Sequence, residues 1–92
     1  MASAEFVDVS GGVPIVVPEL GIRDTELVVS LWLVSLGERV AAGDRVLELL
    51  AGSTTIDLEA PVAGRLVRQR VDEDDPVRVG DVIGEIDPVQ TA

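Results

Sequence analysis

From Thr55 to Ala60 apolar and polar residues alternate. Ile56, Leu58 and Ala60 fall on one side, and Thr55, Asp57 and Glu59 on the other. Period-two alternation places one side in a core and the other in water, which predicts a half-buried strand. Leu27, Val29, Leu31 and Leu33 share a face at the same period. The stretch from Asp24 to Gly37 also admits a helix, with Asp24 or Thr25 as N-cap and Gly37 as C-cap. Val28, Val29 and Val34 are β-branched and stiff, so a strand is favoured there. The segment from Arg65 to Val71 is less regular, and its β-branched content fits a strand edge.

Turn signals punctuate the chain every several residues: Leu20-Gly21, Gly37, Gly43-Asp44, Gly52-Ser53, Pro61, Gly64, Asp74-Asp75-Pro76 and Gly80-Asp81. Short strands at this spacing predict an all-β sandwich or barrel. Residues 1–12 read as a flexible lead, 13–87 as one domain and 88–92 as a tail. The expected core is Ile15, Val17, Val29, Leu31, Val46, Ile56, Leu58, Leu66, Val77, Val82 and Ile86.

The stretch Glu38 to Leu49 recurs as Asp75 to Ile86. Each copy reads acidic-x-Val-x-x-Gly-Asp, then an apolar strand with an acid next to its end. Glycine permits the tight turn and aspartate can bond the backbone beyond it. Two copies imply two similar halves about a pseudo-two-fold axis. They are too short and too few for a solenoid.

Composition changes this picture in three ways. Aromatics are 2% of the 92 residues, namely Phe6 and Trp32, so the core is aliphatic and valine-rich. Trp32 reads as packing at the core or its edge. Histidine, cysteine and tyrosine are absent, and all seven basic residues are arginine, so there is no lysine. Acid–base work is left to carboxylates, no catalytic residue is assigned, and no thiolate or imidazole metal site can form. The net charge of −10 argues against nucleic acid or an anionic membrane as partner. No leader or membrane segment is expected: the apolar run from Leu27 to Leu36 falls far short of the roughly 20 residues a spanning helix needs. The cytoplasm is the expected location.

Candidate chemistry is sparse. The acidic run Asp72-Glu73-Asp74-Asp75 reads as a solvated turn closed by Pro76, since calcium loops need oxygens at defined positions. Asp44 and Asp81 read as backbone-bonding turn residues, not as a catalytic pair. Arg65, Arg68 and Arg70 form a small basic stripe, expected to pair with neighbouring acids.

In order and spacing, several segments resemble the biotinyl/lipoyl domain family. They are Val17-Pro18-Glu19-Leu20-Gly21, Thr25-Glu26, Leu31-Trp32-Leu33-Val34, Gly37-Glu38-Arg39-Val40, Gly43-Asp44, Glu59-Ala60-Pro61-Val62-Ala63-Gly64 and Gly80-Asp81. The likeness is greatest to lipoyl domains of the acyltransferase subunits of 2-oxo acid dehydrogenase complexes. It implies a flattened β-barrel of two small antiparallel sheets, with a modified lysine at the tip of a tight hairpin. Lipoyl tips read Glu-Thr-Asp-Lys-Ala. Counting back without a gap from Ala60-Pro61, these fall on Leu50, Ala51, Gly52, Ser53 and Thr54. Biotinyl tips read Ala-Met-Lys-Met, of which only Ala51 is kept.

Ser53 thus stands at the family's lysine position. It reads as a plain turn residue, as a lysine-to-serine substitution, or as part of a recognition loop Gly52-Ser53-Thr54. No cofactor is expected, because a serine ester would hydrolyse where a lysine amide endures. The leading expectation is a non-catalytic binding or structural module, not an enzyme, with a protein partner and an association with a 2-oxo acid dehydrogenase-type complex. The alternative is a swinging-arm acyl carrier of a dihydrolipoamide acyltransferase whose lysine is missing here. An efflux-adaptor domain is disfavoured, because its tip carries an inserted helical hairpin and this tip is short.

Overall fold

The computed structural model describes residues 12–22 and 24–88. Eight strands follow in order: β1 (Val13–Val16), β2 (Leu27–Trp32), β3 (Arg39–Val40), β4 (Arg45–Ala51), β5 (Thr54–Glu59), β6 (Gly64–Gln69), β7 (Pro76–Val77) and β8 (Val82–Pro88). They form two four-stranded sheets, ordered β1-β8-β6-β3 and β5-β4-β2-β7, and every pairing is antiparallel. No helix occurs among the described residues, and the segment open to either structure is strand β2. Strand β8 runs to Pro88, which pairs with Gly64, so the ordered sheet extends one residue into the expected tail. The remainder of that tail, and the lead up to residue 11, lie outside the described residues.

The repeat is the architecture. Adding 37 to a residue number carries Leu27 onto Gly64, Arg39 onto Pro76 and Arg45 onto Val82, so β2-β3-β4 map onto β6-β7-β8 strand for strand. The turns match bond for bond. Ala41 N–H donates to Asp44 Oδ2 at 2.8 Å, and Arg78 N–H to Asp81 Oδ2 at 2.9 Å. Gly43 N–H donates to Ala60 O and Gly80 N–H to Val17 O. Near the pseudo-axis Trp32 Nε1 donates to Val71 O, and Gln69 Nε2 reciprocates to Val34 O. Each half thereby satisfies a carbonyl of the other, a link that neither segment's local sequence announces.

Between the sheets lies one aliphatic core, including Ile15, Val17, Val29, Val46, Leu58, Leu66, Val77 and Ile86 as expected, with Leu47, Leu49 and Ile83 fully buried as well. Three expected core positions are corrected. β2 bulges at Ser30: Val29 stands opposite Leu49 but Leu31 opposite Glu48. One inserted residue resets the alternation, so Leu31 turns outward and is 44% exposed. Trp32, opposite the buried Leu47, turns inward instead. Val82 is only half-buried, while its neighbour Ile83, at a bulge of β8, is fully buried. The repeat itself aligns Ile83 with Val46 and Val82 with Arg45. Ile56 is half-buried because β5 is an edge strand, although it packs against the core.

One departure from symmetry predicts opposite mutational signs. Gly37 and Asp74 occupy equivalent turn positions, with φ of 87° and 76°. An L-residue there crowds its Cβ against the following carbonyl. Asp74→Gly should therefore raise stability by about 0.5 kcal/mol, the left-handed strain outweighing glycine's extra entropy in the unfolded chain. Gly37→Ala should lower it by about 1 kcal/mol. Urea midpoints measure both; a loss of stability in Asp74→Gly would refute the strain.

Candidate functional site

β4 and β5 form a hairpin closed by two residues, with Ala51 paired to Thr54 across Gly52-Ser53. Gly52 takes φ of 63° while Ser53 does not enter the positive-φ region. These are the φ signs of a type II′ turn, which follows the right-handed twist of the strands and asks for glycine first. The hairpin apex is thus built by Gly52, and Ser53 is presented in its second turn position. Gly52, Ser53 and Thr54 are all exposed.

The loop between β1 and β2 runs beside this apex. A groove of about 390 Å³ is lined by Asp24, Thr25, Glu26, Val28, Leu50 and Gly52. A Cβ built on Gly52 would lie 3.7 Å from Thr25 Cγ2, an ordinary contact distance. Val28 and Leu50 face each other across β2 and β4, and Leu50 is 38% exposed. The apex therefore combines a primary alcohol, an apolar shoulder and two nearby carboxylates. No side chain of this chain carries an imidazole, thiol, phenol or amine that could activate the Ser53 hydroxyl.

The other residues singled out from sequence are not gathered here. Asp44 and Asp81 each serve their own turn. Asp75 accepts the N–H of Asp72 at 2.8 Å, and no group of three or more potential metal ligands converges among the described residues. Arg68 and Arg70 both pair with Glu85, their Nε atoms 3.2 and 2.6 Å from its two oxygens. Arg65 Nη1 donates to Gly37 O at 2.8 Å. Sequence inspection missed Arg39, which stands directly opposite Arg65. The two are 26 positions apart, and only the β3–β6 pairing brings them together.

The model of the biotin/lipoyl family, described as biotin-requiring enzyme, matches residues 13–86. The chain is 37% identical over 75 residues to the dihydrolipoyllysine-residue acetyltransferase component of the pyruvate dehydrogenase complex of Corynebacterium glutamicum, covering 82% of this chain and 11% of that protein. It is 37% identical over 71 residues to the dihydrolipoyllysine-residue succinyltransferase component of the 2-oxoglutarate dehydrogenase complex of Bartonella vinsonii, covering 77% and 17%. It thus spans less than a fifth of either relative. The solution structure of the lipoyl domain of the 2-oxoglutarate dehydrogenase complex of Azotobacter vinelandii superposes with a TM-score of 0.62. That match covers 78% of this chain and 94% of the other at 18% identity, a likeness of fold. By the family match over most of its length, and by relatives above 30% identity, the chain belongs to the biotinyl/lipoyl domain family, with lipoyl domains of 2-oxo acid dehydrogenase acyltransferases among its homologues.

Proposed function

We propose that this domain keeps the lipoyl scaffold, carries no swinging arm, and works as a binding module whose contact tip is Gly52, Ser53 and Thr54. One observation carries this: the hairpin apex is Gly-Ser, in a chain without a single lysine. Attachment in the family forms an amide on a lysine amine. The Ser53 hydroxyl would give only an ester, with no nitrogen base beside it to help form one. The domain itself is then neither a carrier nor an enzyme. Its expected partner is a protein that reads a lipoyl-type tip, within a 2-oxo acid dehydrogenase-type complex in the cytoplasm.

The test is direct. The chain, incubated with lipoate ligase or biotin ligase and the activated cofactor, should show an unchanged intact mass. A mass increase equal to either cofactor would overturn the proposal. The alternative, a swinging-arm carrier from which the lysine has been removed, is distinguished by the labelling of Ser53→Lys discussed below.

A further inference from the structure

The arginines are segregated. Of the six in the described residues, Arg39, Arg65 and Arg68 lie on the outer face of the β1-β8-β6-β3 sheet, and Arg70, just past the end of β6, joins them through Glu85; all four are exposed. Pairing sets them in rows: Arg39 opposite Arg65, Arg65 opposite Asp87, and Arg68 opposite Glu85. Across the β3–β6–β8 pairings only Glu85 and Asp87 stand among these guanidiniums, in a chain whose net charge is −10, although Arg39 also borders a groove lined by Glu38, Asp44, Glu48 and Asp57.

The fold does not require these cations. Under the internal symmetry, Arg65, Arg68, Arg70 and Arg39 correspond to Val28, Leu31, Leu33 and Pro76. The same backbone positions, in the same kind of sheet, are apolar in the other half. The Arg39–Arg65 juxtaposition even works against folding, since like charges directly across a strand pair repel. Arg39 makes no ion pair among the described residues. Val67, the bulged residue of β6, is 43% exposed beside Arg68 and adds an apolar centre.

We infer that this face is a docking surface for an acidic polypeptide segment. Glu85 displays the recognition mode. Its side chain, 14% exposed, spreads its two oxygens over the Nε atoms of Arg68 and Arg70, whose side chains stay 61% and 48% exposed to further carboxylates. Guanidinium forks match carboxylates in planar, bidentate geometry, and arginine is the cation favoured at interfaces. A nucleic acid or an anionic membrane fits less well. Either would extend past a face only a few strands wide onto the strongly acidic remainder, and among the described residues the face offers no aromatic ring for base stacking. The inference does not depend on what the hairpin tip does.

Fluorescence anisotropy of a labelled oligo-glutamate peptide, titrated with the full chain at low and near-physiological ionic strength, tests it. Binding should be present at low salt and weaken as salt rises. Arg39→Ser with Arg65→Ser should weaken it by about tenfold or more, the scale of losing one charge-assisted contact. Arg78→Ser, just beyond β7 of the other sheet, should leave it within about twofold. Because Arg65 also bonds Gly37 O, Arg39→Ser alone is the second variant and should weaken binding without lowering the thermal midpoint. Absence of binding at low salt, an equal loss in Arg78→Ser, or tighter binding of a single-stranded oligonucleotide or of anionic lipid vesicles would each overturn the inference.

Discussion

A chain carrying Gly52→Asp, Ser53→Lys and Thr54→Ala together should accept a lipoyl group from lipoate ligase on its new amine, whereas Ser53→Lys alone should label poorly. Amide formation needs the amine held in line with the activated carbonyl, and orientation of that kind governs large rate factors. In the family resemblance, the aspartate before the lysine and the alanine after it form part of that presentation. Here Gly52 and Thr54 stand in their places. Space is not the obstacle, since a Cβ at residue 52 meets nothing closer than Thr25 Cγ2 at 3.7 Å. Conformation is: the first position of a type II′ turn, here with φ of 63°, asks for glycine, so an aspartate there is strained. The triple variant should therefore label well and melt slightly lower. Intact mass reads the labelling. Complete labelling of Ser53→Lys alone would show that the tip has lost only its amine, and would favour a carrier domain with one substituted residue.

Gly64→Ala should be the most damaging single-methyl substitution in the domain, costing about 3 kcal/mol or more. A Cβ there would sit 2.0 Å from Asp87 O and 2.8 Å from Ile86 Cγ2. The first is backbone of the neighbouring strand, so relief requires β6 and β8 to part where they pair. A domain of this size has about 5–15 kcal/mol to lose. Gly80→Ala is the control: at φ of 94° it is strained, but its Cβ would meet nothing within 4 Å, so it should cost only about 1 kcal/mol. Equal urea midpoints for the two variants would show that the close approach of β8 does not exist in solution.

Fold class, repeat and hairpin tip are all legible along the chain. Alternation and turn residues are local signals: Gly43-Asp44 and Gly80-Asp81 announce their turns, and each aspartate bonds an amide three residues back. Gly52-Ser53 announces the two-residue apex. The missing lysine needs no structure to be seen. Which side of a strand faces inward beyond a bulge, and which strands become neighbours, emerges only when the sheets assemble. Leu31 and Leu33 continue the period of Leu27 and Val29, yet the inserted residue at Ser30 turns Leu31 to water. Leu27 and Gly64 are equivalent in the repeat, but β8 approaches one so closely that only glycine fits. Arg39 and Arg65 become one cationic row because β3 pairs with β6. Bulges and pairings are settled by how two sheets close over a shared core, and that is a property of the whole chain at once, which no window along it contains.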